Sequence, residues 1–244
     1  MKNLMFLAFS ILTICTLTAQ HNISIGLEGG PSLDRYEMHD EGGRLVAKPL
    51  YNGSVGINVG YHCMNYFSLE TALIFKDYTK GYGFAIENRE VGFSGFAYST
   101  FQIPLRVRGS IPLYKDKIFL STVVGYHHSF IRSSPGGRFS IVSLSSEYAF
   151  ESNEIYSETV VDQFSLLETG LGLEFRLING MILRASAIYF TGFADVTRND
   201  LQYSYNGSLF KNASVRSKGE YASLNLGLNY TLQCCKKKME EEEN

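Results

Sequence analysis

The chain has 244 residues, a formal net charge of −2 and a pI near 6.2. Lysine and arginine are scattered apart from Lys236 to Lys238, which leaves no electrostatic footprint for nucleic acid. Beyond the N-terminus no segment is apolar enough for a membrane helix, so the chain is either soluble or crosses a bilayer as a closed barrel, the other structure that satisfies every backbone group.

Residues 1–19 read as a secretory signal peptide: Lys2, an apolar run over 4–17, then Thr18 and Ala19 before Gln20. The run is shorter than the roughly 20 residues of a membrane anchor. Cys15 follows Thr13 and Ile14 instead of the small residues expected ahead of a lipidated cysteine. Cys63, Cys234 and Cys235 remain in the mature chain, an odd number that forms neither a disulfide framework nor zinc-site spacing. Residues 20–232 form one all-β domain, and 233–244, with Lys236 to Lys238 and Glu240 to Glu243, are expected to be a disordered periplasmic tail.

The mature sequence alternates apolar and polar with period two, the mark of strands that present their two faces to different environments. Eight strands are predicted, at 23–30, 53–63, 67–78, 99–111, 117–131, 163–177, 181–193 and 221–232. In the fourth, Phe101, Ile103, Leu105 and Val107 share one face, and Thr100, Gln102, Pro104, Arg106 and Arg108 the other. In the last, Leu224, Leu226, Leu228, Tyr230 and Leu232 alternate with Ser223, Asn225, Gly227, Asn229 and Thr231. The connections alternate long and short. Segments 31–52, 79–98, 132–162 and 194–220 are long, whereas 64–66, 112–116 and 178–180 are tight. That pattern is the scheme of an eight-stranded antiparallel up-and-down transmembrane β-barrel, with short periplasmic turns, four long extracellular loops and both termini periplasmic. A soluble lipocalin-like barrel is the structural rival.

The face opposite the apolar stripe carries Glu28, Glu70, Lys76, Arg106, Arg108, Glu168, Glu174, Arg176 and Arg184. In a membrane barrel these charges must fill a narrow lumen, with Glu70, Glu168 and Glu174 opposing Arg106, Arg108 and Arg184. Eight strands enclose a space just wide enough for side chains, so a charge-paired plug is expected over a gated pore. Tyr61, Phe67, Tyr78, Tyr126, Phe130, Tyr189, Phe193 and Tyr230, toward strand ends, suit an interfacial aromatic girdle.

Five phrases carry a family resemblance: Ala19-Gln20 at the cut, YFSLETALIF from Tyr66, FQIPLRVRGSIPL from Phe101, LLETGLGLEF from Leu166 and LNLGLNYTL from Leu224. With them the chain resembles the outer-membrane β-barrel domain family of Bacteroidetes-type bacteria, allied in architecture to OmpA- and OmpX-like barrels. The resemblance implies a fold and a location, the bacterial outer membrane, and no reaction. One departure is the continuation QCCKKKMEEEEN beyond the last strand.

Chemistry has one candidate locus. His127 and Ser129, in Gly125-Tyr126-His127-His128-Ser129, resemble the His-x-Ser arrangement of lipid A deacylases. Strand alternation turns both toward the lumen, away from lipid, and no third partner is assignable. No phosphate-binding loop, zinc spacing or EF-hand appears, so no cofactor or metal is expected. The expected role is non-enzymatic, structural or in cell-surface interaction. Lipid and lipopolysaccharide surround the wall, an extracellular protein or glycan is the candidate partner of the long loops, and the barrel is monomeric.

Overall fold

The computed structural model describes residues 22–48, 51–64, 66–86, 89–132, 137–142, 150–177, 180–205 and 208–233. The segment expected as a signal peptide, 1–19, and the expected tail from 234, with Cys234 and Cys235, lie outside the described residues. The strands in chain order are β1 (Asn22–Asp34), β2 (Glu37–Asp40), β3 (Leu45–Lys48), β4 (Tyr51–Met64), β5 (Phe67–Ile86), β6 (Arg89–Tyr114) and β7 (Ile118–Ile131). They continue with β8 (Gly137–Val142), β9 (Phe150–Thr159), β10 (Gln163–Arg176), β11 (Met181–Gly192), β12 (Thr197–Tyr205), β13 (Lys211–Ser217) and β14 (Tyr221–Gln233).

Eight of these strands close into a barrel in the order β1-β4-β5-β6-β7-β10-β11-β14, every pair antiparallel. β1 and β14 make the closing seam, with Asn22 opposite Gln233 and Leu27 opposite Leu228. Gln233 therefore belongs to the wall and not to the tail. The predicted strands are all present, but β1 runs on to Asp34, and β5 and β6 extend into the segment expected as a loop at 79–98. Between β6 and β7, Lys115 and Asp116 both have positive φ, 42° and 52°, and the Lys117 N–H donates to the Tyr114 carbonyl at 2.9 Å. Two positive-φ residues give a turn the twist that two-residue hairpins need.

The outer face is apolar. Ile103, Leu105, Val107 and Ile111 of β6 are exposed, as are Leu224, Leu226, Leu228, Tyr230 and Leu232 of β14. From Phe101 to Ile111, ten steps of about 3.3 Å tilted by about 40° make a band about 25 Å tall. Phe67, Tyr126, Phe193 and Tyr230 are exposed on that surface, while Tyr61, Phe130 and Tyr189 are partly so. Tyr78 is not part of this girdle: it lies on the same face of β5 as Lys76 and is buried inside. Its aromatic character resembled that of a girdle residue, but strand parity decides its side.

Within the described residues, the long connections carry strands of their own. β2, β13, β12 and β9 form a second antiparallel sheet, β3 pairs with the far part of β5, and β8 pairs with the far part of β6. Leu201, Tyr203, Ala213 and Val215 alternate inward from that sheet and pack on Tyr82 and Phe84 of extended β5, with Tyr36, Met38 and Leu45 at the margin. Composition rich in Ser, Asn and Tyr hid this pattern, because the apolar face is narrow and shared among strands far apart in sequence.

Asp40 ties the layer together. Its carboxylate accepts from the backbone N–H of Gly42 (2.9 Å), Arg44 (2.5 Å) and Leu45 (2.6 Å) and from the Tyr203 hydroxyl (2.7 Å). A side chain at Gly42 would collide with that hydroxyl, 2.1 Å from an added Cβ, so the turn needs glycine there. Burial opposes the Asp40 charge, but the donors from Tyr203, Leu45, Gly42 and Arg44 outweigh it and hold the carboxyl below its ordinary range. A carboxyl depressed by folding stabilises above its unfolded pKa of about 3.9, and that contribution is lost as pH falls through the lower folded value. Acidification below pH about 4 is therefore expected to loosen the β2–β3 turn before the wall opens. Tyr203→Ala, which removes a buried ring at a cost of about 3–5 kcal/mol, should have the same effect at neutral pH. Limited proteolysis checks both: new cleavage should fall within 37–48 and 197–217 while the barrel stays protease-resistant.

Candidate functional site

Period-two alternation leaves the barrel two surfaces, and the inner one holds the charges. Two ion-paired clusters occupy successive levels of the bore, followed by a lysine and an aromatic stack. Nearest the short turns, Arg108 pairs with Glu70 at 3.1 Å and lies 3.8 Å from Glu174, while Arg184 pairs with Glu70 at 2.9 Å and Glu174 at 3.1 Å. Ser68 and Ser110 donate to Glu70 and Glu174, both at 3.1 Å. The next level centres on Arg106, whose Nε donates to Glu168 at 2.6 Å and whose Nη1 donates to Glu28 at 2.7 and 2.9 Å. His127 Nε2 shares Glu168 Oε2 at 2.6 Å. Arg106, Glu168 and His127 expose at most 1% of their surface.

Local sequence makes room for these long side chains. An added Cβ at Gly125 would stand 2.8 Å from Arg106 Cγ and 2.9 Å from Glu168 Oε2, so a glycine between the strands that carry them lets the pair close. Gly227, opposite Arg184 on one neighbour and Glu28 on the other, is similarly small.

Toward the long connections the bore fills with rings. Tyr78 stacks on Tyr98 at 4.9 Å and Phe190 stacks on Tyr221 at 4.0 Å, with Tyr78 and Tyr221 edge to face at 5.7 Å. Gln102 joins the stacks, its Nε2 donating to the Tyr78 hydroxyl and its Oε1 accepting from Tyr221, each at 3.0 Å. Val196, at the start of the second layer, closes over this cluster with no exposed surface. Lys76 Nζ sits 4.3 Å from the Tyr78 and Tyr221 ring centroids and donates to Asp34 and Ser32 at 2.8 Å. Asp34 also accepts from Asn52 at 2.6 Å and from the Thr79 N–H at 2.9 Å.

The structure thus brings together Glu28, Glu70, Arg106, Arg108, Glu168, Glu174 and Arg184 in two clusters and sets Lys76 apart. Arg176 is partly exposed at the turn end, with its guanidinium 3.7 Å over the Phe119 ring. Three participants escaped the sequence reading. Asp34 lies in a segment that reads as a loop, Gln102 reads as an ordinary polar strand residue, and the sequence offers His127 as a base and not as a third partner of Glu168. The signal for Asp34 was parity: it continues the inward series Ser24, Glu28 and Ser32.

His127 and Ser129 share the inner face, both buried. Acyl chemistry requires a hydroxyl bonded to imidazole and the imidazole oriented by an acid through its other nitrogen. Here Glu168 holds Nε2, and among the described residues neither His127 Nδ1 nor Ser129 Oγ has a hydrogen-bond partner. The relay is not made. Among the described residues no group of three or more His, Cys, Asp or Glu side chains is placed to hold a metal.

The sequence matches no protein-family model and no curated protein. Solved structures similar to it include the outer membrane protein OprG of Pseudomonas aeruginosa, 9% identical with a TM-score of 0.45 over 86% of this chain and 95% of that one. The N-terminal β-barrel domain of Pseudomonas aeruginosa OprF is 12% identical, with a TM-score of 0.41 over 86% and 97%. Neisserial surface protein A is 11% identical, with a TM-score of 0.40 over 87% and 97%. Likeness this low carries no function to the chain, whose closed eight-stranded barrel is defined by its own strand pairing.

Arg106 gives the sharpest test of the interior. Arg106→Met leaves Glu28 and Glu168 without their shared cation, and breaking a buried pair from one side costs about 3–5 kcal/mol. The triple change Arg106→Met, Glu28→Gln, Glu168→Gln should recover much of that loss. Urea unfolding of the barrel in lipid vesicles measures both.

Proposed function

We propose that the chain is a monomeric bacterial outer-membrane barrel that acts through the β-structured layer at its long-connection end, in a structural or cell-surface interaction role. In this reading the short turns and both termini face the periplasm, and the layer built from β2, β3, β8, β9, β12 and β13 faces outward. The apolar band about 25 Å tall supports the membrane placement, because a soluble barrel would leave that whole surface in water.

The observation that carries the role is the filling of the bore. Two levels of paired charge and a double aromatic stack occupy it, and a packed second layer covers it. Eight strands leave an interior that side chains can fill, and aqueous channels come with about 16–18 strands. With the bore occupied and the His127–Ser129 relay unmade, the outward layer is the surface left to act. A partner protein or glycan meets it there, on a rigid scaffold of the kind that commonly presents binding residues.

Two measurements test this. Purified protein in planar bilayers should show no unitary conductance above the lipid background, and steady ohmic steps would replace the plug with a pore. Cells or vesicles carrying a chimera with segments 37–48 and 197–217, which lie outside the wall strands, exchanged for short turns should keep a folded barrel and lose adhesion to host-derived or bacterial surface material. Unchanged adhesion would refute the proposed role of the layer. Ser129→Ala is expected to leave the lipid A of expressing cells unchanged in mass.

A further inference from the structure

The apolar outer wall is not uniform. A concavity of about 730 Å³ lies on it, lined almost wholly by apolar surface and spread over β7, β10, β11, β14 and the ends of β1 and β4. Its volume falls in the range of about 300–1,000 Å³ typical of small-molecule clefts. The cause is a group of small outward residues. Ala187 is the small outward residue of β11 at the floor, flanked by Leu171 of β10 and by Leu224 of β14. The concavity is thus a furrow over Ala187 between Leu171 and Leu224. Thr169 and Ala222 widen it toward the long connections, where Tyr189 stands opposite both.

A cation marks that end. On β1 the outward series Ile25, Leu27, Pro31, Leu33 is apolar, and its next outward member, just past the strand end, is Arg35. Arg35 is exposed and donates from Nη1 to the Tyr189 hydroxyl at 3.2 Å, and among the described residues its other guanidinium N–H groups are open. The nearby acids are Glu220, whose backbone carbonyl accepts from the Arg35 N–H, and Glu37, which lies 3.6 Å from Lys218. Among the described residues no ion pair joins Arg35 to either.

We propose that this furrow is a lipid site: it seats one acyl chain of a lipid A-type glycolipid, with the headgroup phosphate on Arg35. Chain and headgroup are ordered as the wall presents them, apolar furrow first and guanidinium where the apolar band ends. Arginine suits a phosphate because its fork can give two parallel hydrogen bonds. The assignment rests on the outer-membrane reading above, which puts this half of the wall in the outer leaflet.

Native mass spectrometry of the full chain, released from nanodiscs made with lipid A, tests the proposal. The wild type should retain one lipid A. Ala187→Phe, which fills the furrow from its floor, should abolish retention. Arg35→Gln should weaken it about tenfold, the worth of one charge-assisted hydrogen bond. Ile103→Phe, outward on β6 and away from the furrow, should change nothing. Equal retention by Ala187→Phe and wild type would overturn the site and leave only annular lipid. Retention of unphosphorylated diacylglycerol as strong as that of lipid A would overturn the phosphate contact, and stronger retention of phosphatidylglycerol would overturn the choice of lipid. A chain that folds into the nanodisc but keeps no lipid contradicts this inference alone, whereas a chain that enters no bilayer contradicts the outer-membrane reading as well.

Discussion

Arg106 is held by Glu28 and Glu168 in a bore one side chain wide, and much of the rest follows from the need to satisfy it there. A strand with one face turned to hydrocarbon must send every alternate side chain inward. In a barrel of eight strands those side chains meet one another instead of bulk water. A guanidinium in that position is tolerated when carboxylates reach it with good geometry, and removing its partners would strand a buried charge. Gly125 is small because the pair passes beside it, and Glu168 serves Arg106 and His127 together. Register is pinned by the same requirement. A slip by one residue would place the charges against lipid and the leucines in the bore.

The interior changes character along its axis. Ion pairs dominate near the short turns, whereas rings and the buried lysines Lys76 and Lys80 of β5 dominate toward the long connections. The change coincides with the start of the second β-layer, whose Val196 packs into the ring cluster. The layer and the wall are thus continuous in packing, and its own core around Tyr203 and Phe84 continues the inward face of β5 beyond the barrel. A partner meeting this layer would meet an ordered sheet surface, with less entropy to lose than a mobile loop would have.

The wall was legible in the sequence because it depends on a local rule. Phe101, Ile103, Leu105 and Val107 against Gln102, Arg106 and Arg108 need only parity to be sorted, and the alternation of long and short connections gives the up-and-down order. What depended on contacts between distant segments was less legible. Sequence placed Glu70 and Arg184 on the inner face; which acid meets which base depends on stagger between strands. The second layer was hidden for the same reason: Leu201 and Val215 make sense as core residues once Tyr82 and Phe84 are known to extend past the wall. Tyr78 shows the limit of residue type as a guide, since a tyrosine near a strand end reads as interfacial until parity is applied through Lys76.

The central claim is that the inner face is sealed and the outer face meets lipid. Single cysteines introduced along β7 in an otherwise cysteine-free chain, spin-labelled and reconstituted in bilayers, measure this directly. Labels at Thr122, Val124 and Tyr126 should be accessible to oxygen dissolved in the lipid, while labels at Ser121 and Ser129 should be shielded from oxygen and from a water-soluble paramagnetic nickel chelate alike. Ready collision of the chelate with Ser121 and Ser129 labels would mean a water-filled bore and would contradict the account.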